Sequence, residues 1–167
     1  MVVGLFASFW LYSLDKYSLL YYGDSVSHIV AARKLVDWSD PGLHQLGTVW
    51  LPLPHLLLLP FVLFDSLFTS GFAGVIVNLT CLAFGTILIY LLVRKHVAEG
   101  SEIPALLAGI LFAFNPNILY LALTPMSELP FILFFIASAI FFNRWLANIA
   151  DRSAYYLCSF FIAQATM

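Results

Sequence analysis

The sequence predicts an all-α, polytopic transmembrane helical bundle with an amphipathic juxtamembrane helix on its outer face. Three observations carry this. Hydrophobic residues make up 62% of the 167 and charged residues only 10%, against about 25% charged in ordinary soluble domains. The mean hydropathy is +0.96. The apolar residues gather into runs near the ~20 residues that cross a hydrocarbon core. So little polar surface cannot cover a water-soluble globule of this size. An ordinary soluble enzyme, a disordered tail and a secreted disulfide scaffold are therefore excluded. Seven Lys and Arg against nine Asp and Glu give a net charge of −2, which leaves no basic patch for nucleic acid. Cys81 and Cys158 lie inside apolar runs and read as small packing residues, not a disulfide or metal pair.

The chain reads as one membrane domain over residues 1–167, with no internal repeat or linker. Residues 1–22 form a first span, interrupted by Asp15-Lys16, with tyrosines at 12, 17, 21 and 22 as an interfacial belt. This segment lacks the basic start and small-residue cleavage site of a signal peptide. Residues 23–50 are a polar insertion, read as a helix followed by a loop. Asp24 and Ser25 suit its N-cap. Val26, Ile29, Val30, Arg33, Leu35 and Val36 give it an amphipathic pattern, and Asp40-Pro41-Gly42 ends it. Such a helix lies along the membrane with its apolar face down. Asp24 and His28 share one face, Arg33 and Asp37 another.

Residues 51–66 have a short apolar core containing Pro52, Pro54 and Pro60, which predicts a re-entrant segment or short span. Residues 71–93 are a clean span that stops at Arg94-Lys95-His96. Residues 103–123 form the next, kinked at Asn115-Pro116-Asn117. Residues 129–146 form a third, ending in a polar stretch with Arg144, Asp151 and Arg152, and residues 154–167 begin another. The basic clusters at 94–95 and 144/152 belong on the cytoplasmic side. The turn at 124–128 is then outside, and residues 21–70 form a single outer excursion. Asn78-Leu79-Thr80 matches a glycosylation sequon but sits inside a span, beyond the reach of the modifying machinery.

The run Tyr21-Tyr22-Gly23-Asp24-Ser25-Val26-Ser27-His28, with Ala32-Arg33 after it, opens an ordered set of motifs. Pro52-Leu53-Pro54-His55, Arg94-Lys95 and Glu128-Leu129-Pro130 follow. This succession resembles the GT-C superfamily of integral-membrane glycosyltransferases, in the branch of protein O-mannosyltransferases and lipid A aminoarabinose transferases. Two features depart from it. The family's Asp-Glu pair is Asp24-Ser25 here, and family members are several hundred residues long, so the chain is expected to be the N-terminal portion of such an enzyme and inactive alone.

The resemblance implies transfer of a sugar from a polyprenyl-phosphate-linked donor to a hydroxyl of a protein, lipid or glycan acceptor, with inversion. The site would face outward from a prokaryotic plasma membrane, with membrane lipid around it. Asp24 would act as general base, with Glu128 as a second catalytic acidic residue. Arg33 and Lys34 would meet the donor phosphate, with His28 and His55 as further substrate-binding groups. No cofactor is required by this scheme. His28 with Asp24, and with His44 or His55, offers donor atoms suited to a divalent ion, but the spacings match no metal motif. The alternative is a non-catalytic polytopic subunit or transporter fragment, in which Asp24 is only a helix cap. A transporter would show ionisable or unwound positions near mid-bilayer, and the clean spans carry almost none.

Overall fold

A computed structural model describes residues 1–46, 52–96 and 101–165. Gly47 to Leu51, just before the Pro-rich motif, and the last two residues of the expected final span lie outside the described residues. Among the described residues there are nine α-helices and no strand: α1 Val2–Leu14, α2 Gly23–Lys34, α3 Pro52–Val62, α4 Asp65–Ser70, α5 Phe72–His96, α6 Glu102–Ala113, α7 Pro116–Ala122, α8 Glu128–Ala147 and α9 Arg152–Ala165. Single 3₁₀ turns occupy Ser18–Leu20 and Leu43–Gln45. Two helices, over Phe72–Lys95 and Glu128–Ala147, are long and apolar enough to cross a bilayer, and α6 with α7 makes a third if the bent pair is one span.

Helix α5 is the axis of the bundle, and α1, α3, α6 and α8 pack around it. Its residues Val75, Leu79 and Leu82 join Leu58 and Val62 of α3 and Leu129 of α8 in one buried cluster. Helix α1 approaches α5 through small residues one turn apart. A Cβ on Gly4 would meet Leu79 Cδ2 at 2.4 Å, and Ser8 is fully buried with its hydroxyl donating to the Gly4 carbonyl at 2.8 Å. Small residues spaced by four let helix backbones close in where lipid supplies no hydrophobic drive. Helices α8 and α9 form a hairpin zipped by Phe134 and Phe141 stacked on Phe161. Its turn is tied by Arg144 Nε to Asp151 at 2.8 Å, while Asp151 accepts from the Ala154 amide at 3.1 Å. Those bonds, led by that from the Ser153 hydroxyl, lower the Asp151 pKa to about 2.

Several expectations are corrected. The expected first span of 1–22 is a helix only to Leu14, because Asp15 turns extended and accepts from the Tyr17 amide at 2.8 Å. The kink expected within 103–123 is a full break, with α6 and α7 bent by 57°. Pro116 has no N–H to continue the ladder, and the Asn115 side chain caps α7 by accepting from Asn117 and Ile118. Helix α2 starts at Gly23 with Tyr22 as N-cap, so neither Asp24 nor Ser25 caps it. It ends at Lys34, well before Asp40. The Arg33 carbonyl takes both the Val36 and Asp37 amides, closing the end in tight turns, and Asp, Trp and Ser then follow with weaker helix propensity.

The buried face of α2 also differs. Val26 and Val36 are exposed, while Ser25, His28, Ile29 and Ala32 are buried. That face packs on α3 and α5, so α2 is part of the bundle. Helix α3 spans 11 residues, about 16 Å at the helical rise. That is too short for a hydrocarbon core of about 30 Å.

Candidate functional site

The inward face of α2 explains what gathers around it. Ser25, His28, Ile29 and Ala32 recur at three- and four-residue steps, so two polar side chains enter the same seam as two apolar ones. His28 is 3% exposed and His55, from the first turn of α3, is 2% exposed. Their rings meet with Nδ1 of His28 3.1 Å from Nε2 of His55, centroids 5.2 Å apart. One nitrogen donates and the other accepts, so at least one ring presents a neutral nitrogen to its partner.

Two carboxylates flank the pair. Asp24 lies one turn before His28 on an exposed part of α2. Its carboxylate accepts no hydrogen bond among the described residues. Glu128 opens α8, and its Oε2 is sealed from solvent without a hydrogen-bond partner among the described residues. Burial lowers the His28 pKa, and the charges of Asp24 and Glu128 raise it by less. His28 is therefore neutral at pH 7 and sits within the field of both acids.

The approach of Glu128 depends on the turn between α7 and α8. Ser25 Oγ is 3.4 Å from Met126 Sδ in that turn. Asn78, buried in α5, directs its side-chain nitrogen at three carbonyls, that of Leu121 in the last turn of α7 at 3.1 Å and those of Thr124 and Met126 in the turn at 2.6 and 2.9 Å. Gly74, one turn earlier, leaves the space that Pro125 fills; a Cβ there would lie 2.0 Å from Pro125 Cβ. Neither residue stands out in the sequence as part of a site. An amide and a glycine one helical turn apart on a single span are the signal that was available.

Asp24 and His28 thus share one face of α2, His28 meets His55 of α3, and Glu128 at the start of α8 is near enough for its charge to act on His28. Arg33 and Lys34 are not with them. They lie nine and ten positions along α2 from Asp24, about 14 Å at the helical rise. Arg33 bonds Asp37 at 2.6 Å, Asp65 at 2.7 Å and the Val62 carbonyl, and lies over the Phe68 ring. The Asp37 hydrogen bond is the main cause of its raised pKa. Lys34 lies 4.7 Å from the centre of the Trp38 ring. His44 pairs with Asp40 at 3.1 Å, away from the histidine pair.

His28 and His55 turn a nitrogen each toward the other, and among the described residues no three His, Cys, Asp or Glu side chains converge as a metal would need. Comparison of the chain with known protein families, characterised proteins and solved structures gives no match.

Proposed function

We propose that the chain carries the acceptor-activating part of a GT-C-type glycosyltransferase, with Asp24 as general base. One observation carries this: an exposed, unbonded carboxylate beside a buried histidine pair and a second acid, all at one end of an apolar bundle. A carboxylate serving only as a helix cap would be spent on backbone amides, and this one is not.

In the proposed reaction an acceptor hydroxyl approaches Asp24 within hydrogen-bond reach. Its oxygen attacks the anomeric carbon of a polyprenyl-phosphate-linked sugar. The proton passes to the Asp24 carboxylate, and the bond from that carbon to the phosphate oxygen breaks on the opposite face. The configuration inverts, and the lipid phosphate leaves with the electron pair. Positioned proton acceptance of this kind contributes about 10²–10⁴-fold. His28 and His55, mutually bonded, fix the wall beside the base. Glu128, with an oxygen facing no donor, is the second acidic residue toward which a sugar or acceptor hydroxyl can donate. Arg33, held by two carboxylates and a carbonyl, serves the fold of α2, so the leaving phosphate must be met by a cation outside this cluster. Multi-pass insertion in a prokaryotic plasma membrane, with the site outward, is the arrangement the positive-inside rule supports.

The test is Asp24→Asn in the full-length native protein, assayed in membranes with a polyprenyl-phosphate sugar donor. Transfer should fall at least about 100-fold with unchanged protein level and melting behaviour. Turnover equal to wild type removes Asp24 as the base.

A further inference from the structure

At the other end of α5 a groove of about 780 Å³ opens between α5, α8 and α9. Its walls are apolar, with Phe84, Leu88, Leu133 and Phe161 among them, and its only charged lining residues among those described are Arg94 and Lys95. The two cations sit at one end. From Phe84 to Arg94 the helix rises about 15 Å, half of a hydrocarbon core about 30 Å thick. The groove therefore has the depth of one leaflet, with its charge at headgroup level. Its size falls in the range of small-molecule sites, about 300–1,000 Å³.

The two cations are not equivalent. Arg94 is paired with Glu102 at 2.7 Å, whereas Lys95 makes no ion pair among the described residues. One net positive charge thus remains at the mouth of an apolar slot.

We infer that this groove binds an anionic phospholipid of the surrounding bilayer, one acyl chain lying along α5 and the phosphate held by Lys95. Basic pockets between membrane helices hold anionic headgroups in this way. The site is separate from the Asp24 cluster and does not depend on the transferase assignment.

The experiment uses the full native chain in phosphatidylcholine vesicles doped with chain-spin-labelled phosphatidylglycerol or phosphatidylcholine. The motionally restricted fraction gives the relative association of each lipid. Wild type should prefer phosphatidylglycerol about fivefold, the factor expected from one basic residue near a headgroup. Lys95→Gln should bring the two lipids level. Glu102→Gln, which releases Arg94, should raise the preference by a similar factor, a gain that misfolding cannot produce. Leu88→Trp, deep in the slot, should remove the preference while leaving the surface charge intact. Equal association of both lipids with wild type overturns the site. A preference that survives Leu88→Trp is attraction at the membrane surface alone and also overturns it.

Discussion

The side-chain amide of Asn78 lies 2.6 Å from the carbonyl oxygen of Thr124, joining the second turn of one apolar helix to the turn that delivers Glu128. The same nitrogen reaches the carbonyls of Leu121 and Met126. Replacing Asn78 with Leu keeps the branched shape and removes the donor for all three. Leaving buried carbonyls unpaired costs about 1–3 kcal/mol. The expected result is a lower unfolding midpoint in a denaturing-detergent titration, with loss of the Ser25–Met126 contact. An unchanged midpoint would show that the turn holds itself.

Gly74 tests the same turn by volume. Alanine in a helix ordinarily gains up to about 1 kcal/mol over glycine. At Gly74 the added carbon would sit 2.3 Å from Pro125 Cα, part of the backbone. Overpacking costs of about 1–3 kcal/mol should win. Gly74→Ala is expected to destabilise, while Gly109→Ala, whose nearest neighbour is 3.6 Å away, should be neutral or stabilising. The pair of midpoints measures the difference directly.

His28 predicts a pH dependence. Its folded pKa is lowered by burial, so the unfolded chain binds the proton more readily, near the ordinary value of about 6.5. Stability from the neutral ring is fully present above that value. It is lost as pH falls from there through the lower folded pKa. Thermal unfolding midpoints should drop on acidification below about 6.5 and drop less in His28→Gln. Hydrogen exchange across α2 and α3 should localise the loss. Identical pH profiles for the two proteins would remove His28 as the cause.

Arg33 separates a structural from a substrate role. Its planar group serves acceptors on three residues, an arrangement one ammonium does not reproduce. Arg33→Lys should lower the melting temperature by several degrees while leaving the KM for a phosphate-linked donor unchanged among folded molecules. A raised KM at unchanged stability would return Arg33 to the donor site.

Helix type and the two long spans were legible because each rests on local composition. An uninterrupted apolar run bounded by Arg94 predicts α5 as well as any contact does. The break at Asn115-Pro116 was legible as a kink, but its 57° bend needed the Asn115 cap. The face of α2 was misjudged because Val26 and Val36 are apolar yet exposed, while His28 is polar yet buried. Periodicity weighs side chains by polarity, and a partner such as His55 can reverse that weight. The grouping of Asp24 with His28 followed from helical spacing. Glu128 is a hundred residues away, and its approach depends on Asn78 and Gly74, whose partners local pattern does not reveal.

The contacts of α2 also impose an order on biogenesis. Arg33 finds Asp65, and His28 finds His55, within segments made soon after α2 itself. Ser25 waits for Met126, and the His28 surroundings wait for Glu128. At about 5–20 residues per second, the ribosome needs roughly 4–15 s to travel from His55 to Glu128. During that interval α2 is anchored at its C-terminal end while Asp24 stands beside an unfinished wall. The surroundings of His28 are therefore completed only after the helix that carries Glu128 has been delivered.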